Sequence, residues 1–319
     1  MDLSIIIVNY NSNQLVIDCI RSIYKETSKL EFEIIIVDNH SQEENPRSIL
    51  EEFPDVNLFI TDDNLGFGYA NNLGITRAKG TYILLLNSDT LILDAALDKC
   101  IEFMRSDFSI QNNIGLMGCK LLNGDKSYQH SIFHNASMTS LIVNSNPILF
   151  QFFGKKLSFS GGVCSQFVAG VSGAFMLFRS DVFKKIKPFD PDIFMYSEET
   201  DLCRNRVSRV SKIYYWDGAE IVHFGGGSSS NTKWQDIQAI VSFGLVTYKN
   251  NIGKFFIFIG SCILNTFTYL LLFPVYLYKK DRTPQRKLIQ YWGLFRHLKK
   301  IVQYDRKWGS NPKPLRVNI

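Results

Sequence analysis

A chain of 319 residues can bury one large core or two ordinary ones, and 45% apolar with 20% charged residues excludes both disorder and a coiled coil. Nine prolines and 21 glycines without a repeat period exclude collagen-like and solenoid architectures. The net charge of +5 conceals a split: residues 249–319 carry 14 Lys and Arg against Asp281 and Asp305, a net +12, whereas the preceding 248 residues are net −7. An acidic body over 1–248 and a basic tail over 249–319 are two physical objects, and such a tail seeks polyanions.

The body opens as strand followed by helix. Met1-Asp2 and the short apolar run Leu3 to Val8 suit a first strand better than a secretory leader. Continuous Ile-rich runs of this kind are buried on both faces of a parallel sheet. The run ends in Asn9-Tyr10-Asn11-Ser12, where Ser12 is placed to cap a helix carrying Leu15, Cys19, Ile20 and Ile23 at helical spacing. A second strand, Ile34 to Val37, ends at Asp38-Asn39-His40-Ser41, and a third spans Asn57 to Ile60. Asn64-Leu65-Gly66-Phe67 then leads into a helix over Tyr69 to Ala78, stopped by Gly80. The fourth strand, Tyr82 to Leu86, runs into Asn87-Ser88-Asp89.

Four buried-type strands within 90 residues predict a doubly wound α/β sheet with right-handed crossovers. Its ligands should sit beyond the carboxyl ends of the strands, where the polar clusters fall.

Further on, Gly170 to Phe178 reads as one strand, Ser180 to Lys185 as a helix, and Tyr214 to Trp216 and Ala219 to Val222 as two short strands. Residues 123–165 read as loop. The six cysteines are scattered without CxxC spacing, which favours reduced thiols in a cytosolic compartment over a zinc or redox motif.

In the tail, Phe255 to Tyr278 is uncharged and framed by Lys254 and Lys279-Lys280. At about 1.5 Å per residue it exceeds a hydrocarbon core of roughly 30 Å. One crossing from a cytoplasmic body would put the basic end outside, against the positive-inside tendency, so a re-entrant or in-plane hairpin is expected. Leu288, Trp292, Phe295, Leu298 and Val302 form a stripe with Arg and Lys around it, the pattern of an interfacial helix on anionic lipid. A buried helix pair is the plainer alternative. No RNP, KH or zinc-finger pattern points to nucleic acid.

The chemistry-bearing residues lie at strand ends. Asp89 offers a hard oxygen ligand that could hold Mg²⁺ or Mn²⁺ against a diphosphate, although Asn87-Ser88-Asp89 also suits an ordinary turn. Asp38 could accept from a base N–H or a ribose hydroxyl, or simply close an Asx-turn. Glu198-Glu199-Thr200-Asp201 gathers three carboxylates at a helix start. The helix dipole explains one or two of them, and the apolar approach Ile193-Phe194-Met195-Tyr196 should bury the first carboxylate, raising its pKa toward that of a general base. His223 stands before Gly225-Gly226-Gly227 as a metal ligand, a phosphate contact or a structural histidine.

Taken in order, Val8-Asn9-Tyr10-Asn11, Val37-Asp38-Asn39, Asn64-Leu65-Gly66-Phe67, Leu86-Asn87-Ser88-Asp89, Ser172-Gly173-Ala174-Phe175, Glu198-Glu199-Thr200-Asp201-Leu202 and His223 resemble the inverting family 2 glycosyltransferases of the GT-A fold, bacterial rhamnosyltransferase type. The resemblance covers residues 3 to about 230. It implies a mostly parallel GT-A sheet followed by a helical, membrane-associating tail. The reaction it implies is metal-dependent transfer of one sugar from a nucleotide-sugar donor, with inversion. By resemblance, Asn9, Tyr10, Asn11 and Asp38 line the nucleoside pocket. Asn64, Gly66, Asn71, Asn87 and Ser88 stand beside the donor. Asp89 and His223 meet the metal, while Gly173, Ala174 and Glu198 face the acceptor. Glu199 takes the general-base position, with Asp201 as the other candidate. Two departures stand out: Asn87 replaces the first acid of the family's Asp-x-Asp motif, and Glu199 replaces the usual Asp.

Rhamnose from dTDP-rhamnose is the first donor expected, with UDP-galactofuranose behind it. The acceptor expected is an undecaprenyl-diphosphate-linked glycan of O-antigen type, met at the cytoplasmic face of a bacterial inner membrane. A non-catalytic lipid- or glycan-binding module on the same fold is the competing class. A nucleotidyltransferase would show a Gly-rich, basic loop after the first strand, and a processive synthase a Gln-x-x-Arg-Trp motif; neither is present.

Overall fold

The computed structural model describes residues 1–133, 138–153, 164–225 and 232–317. The first part of the chain runs β1 (Leu3–Asn9), α1 (Asn13–Glu26), β2 (Phe32–Asp38), α2 (Ile49–Glu52), β3 (Asn57–Ile60), α3 (Phe67–Arg77), β4 (Tyr82–Asn87), β5 (Thr90–Ile92), α4 (Ala96–Arg105), α5 (Asp107–Gln111) and β6 (Ile114–Leu122). There follow β7 (Tyr128–Gln129), β8 (Ile132–Phe133), α6 (Met138–Ser145), α7 (Pro147–Phe153), β9 (Gln166–Phe167), β10 (Gly170–Val171), β11 (Phe175–Arg179), α8 (Asp181–Lys185) and α9 (Glu198–Asp201). The chain ends with β12 (Lys212–His223), α10 (Thr232–Asn250), α11 (Ile252–Tyr278) and α12 (Thr283–Gln303).

Packing divides these elements into two units, one of Met1–His134, Phe159–Asp190 and Glu199–Ser230, the other of Asn135–Ser158, Pro191–Glu198 and Asn231–Ile319. The boundary that charge draws at 248 is therefore not the boundary that packing draws. Val241, Leu245 and Val246 of α10 share a core with Phe255, Leu294 and Ile301 of the tail, so α10 goes with the tail.

In the first unit the sheet order is β3-β2-β1-β4-β11-β6-β12-β5. The quartet β3-β2-β1-β4 is parallel, as the sequence predicts, and β11 enters antiparallel between β4 and β6. Alternation explains why β1, β2 and β4 are apolar throughout. Ile5, Ile7, Ile34, Ile36, Leu84 and Leu86 fill one core with α1, while Ile6, Ile35, Val37, Ile83 and Leu85 fill the other with Ala70 of α3.

The later strands depart from expectation. Gly170 to Phe178 is two strands, broken at Ser172–Ala174, and the two short strands expected over 214–222 are one, β12, with an irregularity between Trp216 and Glu220. Strand β6, inside the sheet, has no counterpart in the sequence-based expectation, because Gly115 and Gly118 interrupt its apolar run. Gly118 is needed for contact: a Cβ there would stand 2.7 Å from Val171 Cβ.

In the second unit α10, α11 and α12 bury a common core with Ile193, Leu315 and Val317. Helices α6 and α7 lie where the sequence reads as loop. Their junction is fixed by Asn146, whose Oδ1 accepts from Ile148 N and Leu149 N and whose Nδ2 donates to Asn265 Oδ1 at 2.9 Å and Thr268 Oγ1 at 3.0 Å. The stripe expected to meet lipid is corrected in part: Leu288, Phe295 and Leu298 pack on this core, leaving Trp292 and Val302 outward. The buried row of α12 runs instead through Tyr291, Leu294 and Ile301, about one residue around the helix.

Helix α11 is 27 residues long with a hydropathy of 1.9 over its most apolar window, long and apolar enough to cross a membrane by length and composition. Pro274 sits inside it.

Candidate active site

The polar clusters gather at the carboxyl ends of β1, β2 and β4, which the register aligns by pairing Asn9 with Asp38 and Val8 with Asn87. At the first two tips, Asn9 Nδ2 donates to Asn13 Oδ1 and Asp38 Oδ2, each at 2.8 Å, and Asn9 Oδ1 accepts from Ser12 Oγ at 3.0 Å. Asp38 also accepts from Ser41 N at 2.9 Å and Ser41 Oγ at 2.6 Å. Both Asn9 and Asp38 are 0% exposed. These bonds fasten the two strand-end loops to each other, at the strand tips where the sequence expects the nucleoside pocket. Asn11, in the left-handed region at φ 49°, does the same by accepting from Gln42 N and Glu43 N. Tyr10, half-buried beside them, keeps its side chain partly open to solvent.

The third loop repeats the pattern. Asn64 Oδ1 accepts from Asn39 Nδ2 at 2.9 Å and from Gly66 N at 3.1 Å, and Gly66 turns the chain into α3 at φ 95°, a conformation suited to glycine. Asn71 is buried, its Nδ2 donating to Phe67 O within its own helix.

A second group forms where β4 and β12 end. His223 Nε2 lies 3.3 Å from Asp89 Oδ1 and 3.3 Å from Asn87 Nδ2. Its other nitrogen, Nδ1, lies 2.6 Å from Gln129 Oε1, and Gln129 Nε2 donates back to His223 O at 3.1 Å. The Gln129 carbonyl oxygen can only accept, so the ring proton resides on Nδ1 and Nε2 turns its lone pair toward Asp89. His223 Nε2 and Asp89 Oδ1, an imidazole nitrogen and a carboxylate oxygen 3.3 Å apart, are the kinds of atom that ligate a divalent cation. The β5 pairing of Thr90 with His223 and the bond from Phe224 N to Asp89 O at 3.0 Å hold the two backbones together. Ser88 and Asp89 also line a cavity of about 370 Å³ with Asp18, Arg21 and Phe224. Gly226–Ser230, the rest of the glycine and serine run, lies outside the described residues.

Among the described residues no three His, Cys, Asp or Glu side chains gather into a metal cage. Asp89 and His223 would supply two ligands, and the hard, incompletely held cation that results suits Mg²⁺ or Mn²⁺ completed by diphosphate oxygens. Gln129 was missed by sequence reasoning, since a lone glutamine in an irregular stretch carries no signal. Its carbonyl orients the His223 ring, and Gln129→Ala should weaken Mn²⁺ binding by about 10–100-fold in a titration followed by the Mn²⁺ paramagnetic resonance signal. Unchanged affinity would mean that His223 needs no such orienter.

The third group is at Glu199. Tyr196 and Ser197 are both left-handed, at φ 67° and 68°, and a π turn over Leu202–Arg206 follows, so α9 sits between two irregular backbones of the sort found at functional sites. The Glu199 side chain is partly accessible, yet burial raises its pKa above the ordinary 4.5. A Cβ placed on Gly173 would stand 3.9 Å from Glu199 Cβ and 3.9 Å from Phe67 Cε1, ordinary contact distances that put Gly173 beside the base of the Glu199 side chain. Ala174 O accepts from Asn87 N at 3.1 Å, joining this wall to the histidine cluster. Glu198 is buried.

Asp201, the other candidate, is held by the turn that follows it. It is 1% exposed, accepts from Arg206 Nε at 3.0 Å and Nη2 at 2.7 Å, and from Asn205 Nδ2 at 2.8 Å. Two donors of Arg206 converge on one buried oxygen, Asp201 Oδ2, while Oδ1 takes Asn205, which makes Asp201 the anchor of the π turn.

The family model described as Glycosyl transferase family 2 matches residues 4–186. The chain belongs to glycosyltransferase family 2. The chain is 29% identical to the chondroitin synthase of Escherichia coli over 149 residues, 44% of the present chain and 21% of that protein. It is 25% identical to the rhamnosyltransferase WbbL of E. coli K12 over 176 residues, 52% of the present chain and 63% of WbbL. The chain thus spans less than two thirds of the length of these curated relatives. Its fold is GT-A: the mannosyltransferase PcManGT of Pyrobaculum calidifontis, solved with GDP-Man and Mn²⁺, superposes at a TM-score of 0.55 over 94% of the present chain and 87% of that chain, at 12% identity.

Proposed function

We propose that this glycosyltransferase moves one sugar, with rhamnose from dTDP-rhamnose as the first candidate, to an undecaprenyl-diphosphate-linked glycan in bacterial surface polysaccharide synthesis, with inversion. The observation that carries it is that Gly173 lies beside Glu199 and its neighbour Ala174 accepts from Asn87 N, next to His223 and Asp89, which supports reading the raised carboxyl and the Asp89–His223 pair as parts of one site. Glu199 takes the proton from the acceptor hydroxyl as that oxygen attacks the anomeric carbon, and the diphosphate leaves on the opposite face. Asp89 and His223 would hold Mg²⁺ or Mn²⁺, which when bound neutralises charge on the departing diphosphate. Asn87, in place of an acid, leaves that corner less negative, and it steadies Nε2 of His223 instead. The similarity to WbbL is what supports rhamnose as the first candidate.

Work at the cytoplasmic face of a membrane is part of the same reading. On α11, Phe256, Phe267, Leu271 and Tyr278 are 65%, 67%, 73% and 89% exposed, and Lys279, Lys280 and Arg282 follow. An apolar row ending in cations suits an anionic lipid surface.

The experiment is a panel of nucleotide sugars scored by thermal stabilisation with and without Mn²⁺. At a hundredfold excess over Kd, binding to the folded chain adds about 2.7 kcal/mol. The dTDP-rhamnose arm should show the largest rise, and Mn²⁺ should enlarge it. A larger rise with UDP-galactofuranose would replace the donor but keep the mechanism, and no rise with any donor would overturn the transferase reading in favour of a binding module.

A further inference from the structure

Within the second unit, α6, α10, α11 and α12 leave a cavity of about 260 Å³ unfilled. Ile142, Ile240, Phe243, Phe258 and Cys262 form apolar walls. Its buried polar floor is satisfied by protein: Asn265 Nδ2 donates to Ser145 Oγ at 3.0 Å and Tyr291 OH at 3.2 Å, and Asn265 Oδ1 accepts from Asn146. A cavity whose polar groups already have partners holds water poorly and suits an apolar occupant.

One end is different. Lys287 lines the cavity with Gln290, and its Nζ donates to Gln290 Oε1 at 3.1 Å. The adjacent Arg286 is neutralised by both oxygens of Asp236. Among the described residues Lys287 has no such ion pair. An ammonium at the rim of an apolar cavity complements an anionic head on a hydrocarbon tail. Access is also built in: Ser261 lines the cavity, and Ile257 and Leu264, four residues before and three after it on the same face of α11, are 47% exposed each. Outward apolar surface therefore leads to the opening.

We propose that this cavity binds the single hydrocarbon chain of a lipid phosphate, with the phosphate against Lys287. Because the occupant would be the carrier lipid of the acceptor, the inference rests on the functional reading above. It adds a site for the carrier that is separate from the residues assigned to chemistry.

The test uses the full chain in phosphatidylcholine nanodiscs and a pentadecyl phosphate carrying a terminal diazirine, with labelled peptides read by mass spectrometry. Label should fall on Ile240–Phe243 and around Phe258, be displaced by farnesyl phosphate, and be insensitive to inorganic phosphate and farnesol at equal concentration. Lys287→Ala should cut it roughly tenfold, the loss of one charge-assisted hydrogen bond. Ile240→Trp should cut it by filling the cavity, and Ser261→Phe, at the half-exposed mouth, serves if the tryptophan variant does not fold. Label spread along the outer face of α11 and unchanged in these variants would mean bulk-lipid contact and overturn the site. Stabilisation by nucleotide sugar, measured on the same variants, should persist. Its absence in the wild-type chain alongside specific labelling would strike the transferase reading and leave the lipid site standing.

Discussion

Glu199→Gln lowers transfer by about 10²–10⁴-fold while leaving the stabilisation by donor intact, because the amide keeps the shape of the side chain and removes only its proton affinity. The pH dependence follows from the raised pKa of Glu199. A base must be ionised, so the acid limb of the wild-type rate profile should lie above the ordinary carboxylate value of 4.5. Stability runs the other way. The folded chain holds this proton more tightly than the unfolded chain, so folding is favoured below the unfolded pKa and loses that contribution as pH rises through the folded one. Glu199→Gln should therefore melt at or above the wild-type temperature at pH 7, with the gain vanishing toward pH 4. A variant that transfers sugar at the wild-type rate would remove Glu199 from the chemistry, and one that melts well below wild type at neutral pH would contradict the cost of burying its charge.

The second large effect is on folding. Arg206 reaches two buried carboxylates, Asp201 at 2.7 Å and Asp190 at 3.6 Å. Arg206→Met keeps most of the side-chain volume and withdraws the guanidinium from both, which should cost about 3–5 kcal/mol in urea unfolding. Adding Asp201→Asn should recover part of that loss, since one of the two charges is then gone. A wild-type unfolding midpoint for Arg206→Met would mean that the pairing does not anchor the π turn, and Asp201 would again compete with Glu199 as the base. The two experiments separate adjacent carboxylates by kind, one through rate and the other through stability.

Burial explains why these two residues could not be told apart in the sequence. Glu199 and Asp201 stand two apart in one acidic run, and their composition and spacing favour neither. Arg206 chooses between them, and the π turn that aims it at Asp201 leaves no mark in residue types. Asp38 makes the same point from the other side. Its place after an apolar strand was legible, but the hydrogen bonds from Asn9 and Ser41 that turn it into a loop fastener depend on two strands lying in register.

The sequence by itself determined four buried strands of a parallel sheet and the location of the polar clusters at their ends, because continuous apolar runs are local properties that dictate burial on both faces; their order β3-β2-β1-β4 came from the tertiary structure. It also determined that the tail differs physically from the body, since charge is additive along a chain. Only the tertiary structure decided that Gln129 orients His223, that α10 belongs with the tail, and that α12 turns Leu294 and Ile301 inward in place of the stripe through Trp292. Each of these depends on which distant surface a residue meets. Such meetings are set by the packing of whole elements and have no signature in the neighbouring residues.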